Sequence, residues 1–295
     1  MATDATDRAG PPDVGVRDEA RTATEQLFDL TGRVAVITGG AGMLGGKHAE
    51  AIVELGGTAV LLDVQEAAST AAAERIRAGG GDAWGVGADI TDAAQVRAAV
   101  ERIVERYGRI DILINNAALT VKGGGAAFGD YFAPFEEYPE ALFDLALRVN
   151  LTGAFLVTQA VGPVMAAQGR GVIVNIASDV AVISPDHRIY AGMTYGDKPF
   201  NTPIAYSMSK AALLAFTRYL ATYWATAGIR VNALSPAGVL DGHDPAFVER
   251  LASCIPMHRM ADRDEYKGAI AYLCSDASSF MTGANLIVDG GRTAW

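Results

Sequence analysis

The sequence predicts a single α/β domain with a doubly wound, seven-stranded parallel sheet. Short runs rich in β-branched residues alternate with Ala-rich helical segments along most of the chain. Runs such as VIVNIA are apolar at nearly every position, which is typical of parallel strands covered on both faces by crossover helices. The predicted strands are residues 34–38, 59–62, 83–88, 110–114, 172–176, 229–234 and 285–288.

Composition excludes several classes of protein. Half of the 295 residues are hydrophobic and 20% are charged, so the chain as a whole is not intrinsically disordered. The net charge of −10 opposes binding to a nucleic-acid backbone. No run approaches the roughly 18 apolar residues of a membrane span, so we expect a cytoplasmic protein without a membrane partner. Neither the two cysteines nor the four histidines are spaced for a disulfide framework or a metal site.

The N-terminal segment differs from the rest of the chain. Residues 1–27 contain Gly10-Pro11-Pro12, scattered charges and almost no large apolar side chains. Such a segment cannot bury enough surface to offset the entropy of ordering. We therefore predict a disordered acidic leader at 1–27 and a catalytic domain at 28–295.

A glycine-rich turn follows the first predicted strand. Gly40, Gly42 and Gly45 satisfy G-x-G-x-x-G immediately before a predicted helix at 43–55. Glycines let backbone N–H groups approach a pyrophosphate, whose charge is stabilised by the positive end of the helix dipole. The motif alone is equally compatible with a turn that only tightens packing.

The end of the second predicted strand favours a dinucleotide. Asp63 stands where a carboxylate can accept hydrogen bonds from the adenosine ribose and repel a 2′-phosphate. No Arg or Lys lies between Thr38 and Gly46, or directly after Asp63, to neutralise such a phosphate. The pattern predicts NAD rather than NADP.

Three residues form a candidate for acid–base chemistry. Tyr206 and Lys210 are four residues apart on a predicted helix, so they project from one face. A neighbouring ammonium can lower the pKa of a tyrosine from about 10. Ser178 follows the VIVNIA strand at the ligand-binding edge of the sheet. The alternatives are a solvated Tyr–Lys pair and a serine that merely caps a helix.

Together these residues resemble the short-chain dehydrogenase/reductase family, from about residue 30 to 291. Thr38, Gly39 and Gly45 match its glycine motif, Asn115-Asn116-Ala117-Ala118 its NNAG motif, and Val288-Asp289-Gly290-Gly291 its C-terminal signature. The resemblance implies a Rossmann-type fold and a homotetramer. It also implies the catalytic residues Asn150, holding a proton-relay water, Ser178, orienting the carbonyl, Tyr206, exchanging the proton, and Lys210, binding ribose and lowering the tyrosine pKa. The implied cofactor contacts are Gly39, Gly40, Gly42, Met43, Leu44, Gly45, Asp63, Val64, Asp89, Ile90, Asn116, Ala117, Ala118, Tyr206, Lys210, Pro236, Gly238 and Val239.

The sequence departs from the family pattern at several points. Met43 stands where the middle glycine is usual, and Gly42 substitutes for it in the alternate register above. Ala237 replaces a common glycine, and Asp241 a threonine that often contacts the nicotinamide amide. Ser178 and Tyr206 are 28 residues apart, about twice the usual separation in the family, so this region contains an insertion.

The insertions near 119–137 and 180–203 bear on the substrate. The second contains Pro185, Asp186, His187, Arg188, Tyr190, Tyr195, Asp197, Lys198 and Asn201, groups suited to a polyhydroxylated ligand. Oligomer contacts or surface decoration are an equally weighted alternative. The sequences of the insert and of the C-terminus also resemble those of family members associated with sugar and flagellin-glycan metabolism.

We therefore predict an NAD(H)-dependent oxidoreductase that transfers a hydride between nicotinamide and a secondary alcohol or ketone, with a sugar-like or nucleotide-sugar substrate. The enzymatic alternative is a 3-oxoacyl thioester reductase. An alternative of another class is a non-catalytic NAD-binding regulator that has kept the fold.

Overall fold

The fold is that of a computed structural model, which describes residues 22–119, 130–195 and 198–295. Every strand predicted from the sequence is present, with small shifts at the ends. In chain order the strands are β1 (Val34–Thr38), β2 (Thr58–Asp63), β3 (Asp82–Gly87), β4 (Ile112–Asn115), β5 (Gly171–Ile176), β6 (Thr194–Tyr195), β7 (Lys198–Pro199), β8 (Ile229–Pro236) and β9 (Asn285–Val288).

Helices occupy the intervening segments. They are α1 (Ala23–Leu27), α2 (Met43–Glu54), α3 (Glu66–Ala78), α4 (Ala93–Tyr107), α5 (Glu140–Leu147), α6 (Ala154–Gln168), α7 (Ile204–Tyr223), α8 (Pro245–Ser253) and α9 (Lys267–Cys274). A π-helical turn, Arg148–Gly153, joins α5 to α6. The helix predicted at 43–55 is confirmed as α2.

Seven strands form one parallel sheet in the order β3-β2-β1-β4-β5-β8-β9, and β6 and β7 form a separate antiparallel ribbon. The strand order runs in opposite directions on the two sides of the β1–β4 pair, so crossover connections leave toward both edges of the sheet. A crevice opens outside the carboxyl ends of the strands at such a switch point. The predicted doubly wound architecture is therefore confirmed, and it fixes where a ligand can bind.

Two hydrophobic cores cover the faces of the sheet. One contains residues of α4, α6 and α7, such as Val100, Val161 and Leu220. The other contains residues of α2, α3 and α9, such as Ile52, Ala73 and Leu273. All six residues of β5 are buried, which explains the continuous apolar run in its sequence.

The predicted leader overlaps the first helix. Thr22 caps α1, since its side chain accepts a hydrogen bond from Glu25 N and the Glu25 carboxylate accepts one from Thr22 N. This capping box gives the last residues of the leader a defined conformation. Residues 1–21 lie outside the described residues, and their predicted disorder stays a prediction.

The continuous helical stretch Glu140–Gln168 spans 29 residues and is long and apolar enough to cross a membrane. The expectation that no run approaches this length was wrong. Its C-terminal part, α6, places Val157, Val161 and Met165 in the hydrophobic core beside the sheet. These contacts are those of a core helix in a globular protein, a class that passes the same length and composition test.

The insert between β5 and α7 packs against two other segments. Asn201 N donates to Phe132 O, and the Phe132 and Phe200 rings stack with their centroids 4.0 Å apart. Tyr190 stacks on Phe247 of α8, and Arg250 donates to Ile189 O. The insert is therefore attached both to the segment after residue 130 and to α8.

Candidate active site

The carboxyl ends of β1 and β4 are joined by side-chain hydrogen bonds. The Thr38 hydroxyl accepts hydrogen bonds from the backbone N–H groups of Asn116 and Ala117, each at 3.0 Å. The Asn116 amide in turn donates to the carbonyl oxygens of Thr38 and Gly39. These bonds fix the floor of the crevice, with the predicted cofactor residues Asn116, Ala117 and Ala118 on one side and the glycine turn on the other.

The glycines of the turn are required by close packing. A Cβ at Gly40 would lie 2.7 Å from the Leu61 Cα, and a Cβ at Gly45 would overlap the carbonyl oxygen of Gly39. The next residue, Gly46, has open space in the Cβ direction. The turn therefore needs glycine at positions 40 and 45 for physical reasons.

The N-terminus of α2 is suited to an anion. Gly42 is its N-cap and provides no side-chain hydrogen bond, and the helix begins at Met43, followed by Leu44. An α-helix leaves its first N–H groups without intrahelical acceptors, and its dipole favours negative charge there. This geometry fits a dinucleotide pyrophosphate, and Met43 takes the place of the usual glycine as the first helical residue.

Asp63 and Asp89 end neighbouring segments of the same edge. One Asp63 oxygen accepts from Ala41 N of the glycine turn at 3.2 Å, and the other accepts from Gln65 N. The carboxylate therefore borders the turn, and Val64 beside it is exposed. Asp89 accepts hydrogen bonds from the backbone and hydroxyl of Thr91, and Ile90 is buried.

Ser178, Tyr206 and Lys210 come together at the end of β5. A hydrogen bond links the side chains of Ser178 and Tyr206, and the Lys210 Nζ lies 5.7 Å from the centroid of the Tyr206 ring. Lys210 Nζ also donates to Ile176 O at 2.7 Å. The convergence places a phenol, a hydroxyl and an ammonium beside the cofactor cradle.

The pKa of Tyr206 differs from the sequence-based expectation. Burial raises it, a hydrogen bond from Ser178 opposes this, and the charge of Asp179 raises it further. Lys210 is not among the groups that shift this pKa, so the expected lowering by its ammonium is not found in the cofactor-free protein. Burial also lowers the pKa of Lys210 to about 8, because the ammonium is removed from water.

Asn150 lies in the π-helical turn between α5 and α6. Its side-chain oxygen accepts from Leu119 N at 2.7 Å, and its amide donates to Ser209 Oγ at 3.0 Å. Ser209 Oγ donates to Tyr206 O. Asn150 thus links the loop after β4 to the helix that carries the tyrosine, while its role with a relay water stays a prediction.

Pro236, Gly238 and Val239 continue from β8 at the far side of the crevice. Gly238 and Val239 are linked to Ala261, through a hydrogen bond from Ala261 N to Gly238 O and a parallel bridge at Val239. Pro236 is paired with Val288 of β9. These backbone links position the segment opposite the glycine turn.

Several residues of the insert have a local role. Asp186 accepts hydrogen bonds from the backbone and guanidinium of Arg188, so each largely satisfies the other. Tyr190 lies in the aromatic row with Phe200 and Phe247. Asp197 and the side chains of Tyr195 and Lys198 lie outside the described residues.

A cavity of about 690 Å³ lies between the insert, α7 and the segment before α5. Val180, His187 and Ser207 are among its lining residues, whereas the four predicted catalytic residues are not among those described as lining it. Its walls come from the insert, α7 and the segment 133–138. On α7 the cavity is lined by Ile204, Ser207 and Ala211, which lie on the side of the helix away from Tyr206 and Lys210. The cavity is therefore separate from the reacting groups, and His187 belongs to its wall.

Two polar groups near the site could not be assigned from the sequence. Asp179 follows Ser178 directly and forms a buried ion pair with Arg292. Asn115 donates to Asn175, which donates to Thr217, below the candidate site. The partners are 42 to 113 residues apart, so only the fold brings them together. The only feature of the sequence that points to these residues is their position as polar residues at the ends of apolar strands.

A family model described as enoyl-(acyl carrier protein) reductase matches residues 39–293. The chain belongs to the short-chain dehydrogenase/reductase family. The match includes the glycine turn, Ser178, Tyr206 and Lys210, so the resemblance stated from the motifs is confirmed.

Relatives in this family are named as dehydrogenases of hydroxylated compounds. The chain is 35% identical to D-threitol dehydrogenase of Mycolicibacterium smegmatis, over 90% of this chain and 95% of the relative. It is 34% identical to an NAD-dependent glycerol dehydrogenase of Listeria innocua, over 90% and 96% of the two chains. A gluconate 5-dehydrogenase from Burkholderia cenocepacia, solved with NADP and tartrate, superimposes with a TM-score of 0.80 at 33% identity, covering 92% and 99%.

These likenesses make the protein an oxidoreductase that acts on CH–OH groups and uses a nicotinamide cofactor. They decide against the non-catalytic alternative. Because one relative is named for NAD and another was solved with NADP, the family likeness leaves the choice between the two open.

The glycine turn yields a prediction with a matched control. We expect Gly45→Ala to weaken nicotinamide-dinucleotide binding at least about tenfold, because the added methyl would displace the Gly39 carbonyl and distort the pyrophosphate site. Gly46→Ala should bind normally, since its methyl meets open space. Fluorescence titration of both variants checks this, and equal affinity in the two would contradict it.

Lys210 yields a pH-dependent prediction. Its pKa is about 8 in the folded protein and 10.5 ordinarily, so the unfolded chain binds more protons between these values and stability rises with pH there. Below pH 8 the full cost of burying the ammonium remains. We expect Lys210→Met to stabilise the cofactor-free protein at pH 7 by about 1 kcal/mol, after loss of the hydrogen bond to Ile176. This gain should shrink toward pH 10.5.

Denaturant titrations at several pH values measure the effect. Lys47→Met is the control, since Glu50 and Asp264 raise the pKa of Lys47 and the substitution should be neutral or destabilising. A Lys210→Met variant less stable than the parent at pH 7 would contradict the prediction.

Proposed function

We propose that the protein is an NAD-dependent dehydrogenase that oxidises a secondary alcohol of a polyol or related sugar-like substrate. The observation that carries the proposal is the convergence of Ser178, Tyr206 and Lys210 beside a glycine turn that fits a pyrophosphate. The names of the threitol and glycerol dehydrogenase relatives support a hydroxylated substrate.

The chemistry of the chain's own groups follows from this arrangement. The Tyr206 oxygen takes the proton of the substrate hydroxyl in oxidation and returns it in reduction. Ser178 orients the substrate oxygen, and Lys210 favours the phenolate by its charge and would bind the ribose hydroxyls. A bound nicotinamide dinucleotide would supply the hydride acceptor for oxidation of the alcohol carbon. The protein contributes position and electrostatics.

The preference for NAD rests on Asp63. Its carboxylate borders the glycine turn and would repel a 2′-phosphate, and no Lys or Arg occurs between Thr38 and Gly46. The glycine turn together with Asn116, Asp89 and the segment 236–239 would hold the rest of the dinucleotide.

The family model described as an enoyl-(acyl carrier protein) reductase keeps an acyl thioester reductase as the second candidate.

We also propose a homotetramer in the cytoplasm, without a nucleic-acid or membrane partner. Exposed apolar side chains on the three helices of one flank, such as Leu145, Phe155, Tyr219 and Tyr223, support self-association. Light scattering of the purified protein tests the assembly, and cell fractionation tests the location.

The substrate proposal predicts NADH formation with one or more members of a panel of D-threitol, glycerol, xylitol and gluconate. Tyr206→Phe should abolish this turnover, because phenylalanine cannot accept the proton, while dinucleotide binding persists. Absorbance of the reduced nicotinamide measures both proteins. Turnover of only 3-oxoacyl thioesters would establish the second candidate, and full activity in Tyr206→Phe would refute the assigned base.

The cofactor proposal predicts that Asp63→Ala weakens the binding of NAD and strengthens the binding of NADP. Loss of the carboxylate removes both ribose hydrogen bonds and repulsion of the 2′-phosphate, so the ratio of the two affinities should fall by about tenfold or more. Asp82→Ala is the control, because it removes the same charge at the opposite end of the neighbouring strand β3. Tighter binding of NADP than NAD by the parent would overturn the proposal.

A further inference from the structure

A buried ion pair lies directly behind the Ser178 hydroxyl. Arg292 Nη1 contacts Asp179 Oδ2 at 2.6 Å, and the two side chains are only 7% and 4% exposed. The other Asp179 oxygen accepts hydrogen bonds from Ser178 Oγ and Val180 N, both at 2.8 Å. The C-terminal segment is thereby connected to the candidate catalytic serine.

Stability of the fold does not by itself account for this buried pair, because desolvating two charges costs about as much as their attraction returns. Asp289 holds the residues on either side of Arg292 in place by accepting from Gly291 N and Thr293 N. A hydrogen-bonded turn therefore places the Arg292 side chain against Asp179.

The hydrogen bonds determine how Ser178 can act. A serine hydroxyl has one proton and two lone pairs. Ser178 Oγ donates to Asp179 Oδ1 and is also hydrogen-bonded to the Tyr206 side chain, so the carboxylate fixes the serine side chain beside the phenol.

The same pair places charge near Tyr206. The charged and titratable groups around this phenol are Lys210 on its own helix, Asp179 after β5, Tyr190 of the insert and Tyr131 from the segment before α5. Arg292, from the C-terminal segment, stands behind Asp179. Since Asp179 is the negative group in this set, it opposes phenolate formation and Arg292 compensates it.

We propose that Asp179 and Arg292 are positioning residues: Asp179 holds the Ser178 hydroxyl in place beside Tyr206, and Arg292 balances the charge of Asp179 there. This role rests on the proposed function of Tyr206 as the base. It assigns a function to two residues outside the Asn, Ser, Tyr and Lys set.

The test separates charge from packing by using near-isosteric variants. Asp179→Asn removes the negative charge and leaves Arg292, so Tyr206 should ionise at a pH lower by roughly one unit, the shift expected from one nearby charge. Asp179→Asn/Arg292→Gln removes both charges and should return the midpoint toward that of the parent. Arg292→Lys should keep the parental midpoint.

Two measurements are made on the full-length protein with NAD present. The ultraviolet absorbance of tyrosinate is titrated for each variant, and the signal of the same variant carrying Tyr206→Phe is subtracted to isolate Tyr206. With D-threitol and glycerol as alcohol probes, the rising limb of the pH profile of kcat should move to lower pH with the titration midpoint in Asp179→Asn, and the high-pH plateau of kcat should fall while KM changes little.

The outcomes distinguish this inference from the proposed function. Midpoints that are the same in the parent, Asp179→Asn and the double variant would overturn the inference, even if melting temperatures fall. A shifted midpoint without turnover of either probe would support the inference and count against the proposed substrate class. Because the titration needs no substrate, inactivity does not prevent the test.

Discussion

The complete burial of a parallel sheet is the constraint on which the site depends. Helices cover both faces, so the strands are mostly apolar along their length and polar side chains are concentrated where the strands end. Thr38, Asn116 and Ser178 all occur at such ends, and the switch point between β1 and β4 opens the crevice there. Close packing of the glycine turn then leaves the N-terminus of α2 facing that crevice.

The acid–base groups lie in surroundings that disfavour their charged forms. Burial opposes the charged forms of both Tyr206 and Lys210, so each charge is favoured only through its neighbours. The hydrogen bond from Lys210 to Ile176 O fixes the ammonium, and the bond between Ser178 and Tyr206 fixes the phenol. A site of this kind trades stability for preorganisation, because its charges are held where a substrate and cofactor can use them.

The insert contributes differently from what its composition suggested. Asp186 and Arg188 are used mainly to close a local turn, whereas Tyr190 and Phe200 attach the insert to α8 and to the segment after residue 130. The resulting wall borders a cavity on the side of α7 away from Tyr206 and Lys210. Loops packed in this way can vary in sequence and change the substrate while the catalytic groups stay fixed on the sheet and α7.

The sequence by itself determined the local features of the fold and the site. These are the seven apolar runs, the glycine turn, Asp63, and Tyr206 one helical turn before Lys210. Each of these signals is local, because it depends on periodicity or on neighbours within a few residues. It did not determine the pKa of Tyr206, since burial depends on what the rest of the chain places around the phenol. Nor could it pair Asp179 with Arg292 or Asn115 with Asn175, whose contacts are set only when distant strands and the C-terminal segment meet. Local spacing fixes which groups share a helix face or a strand end, whereas desolvation and long-range pairing exist only in the packed tertiary structure.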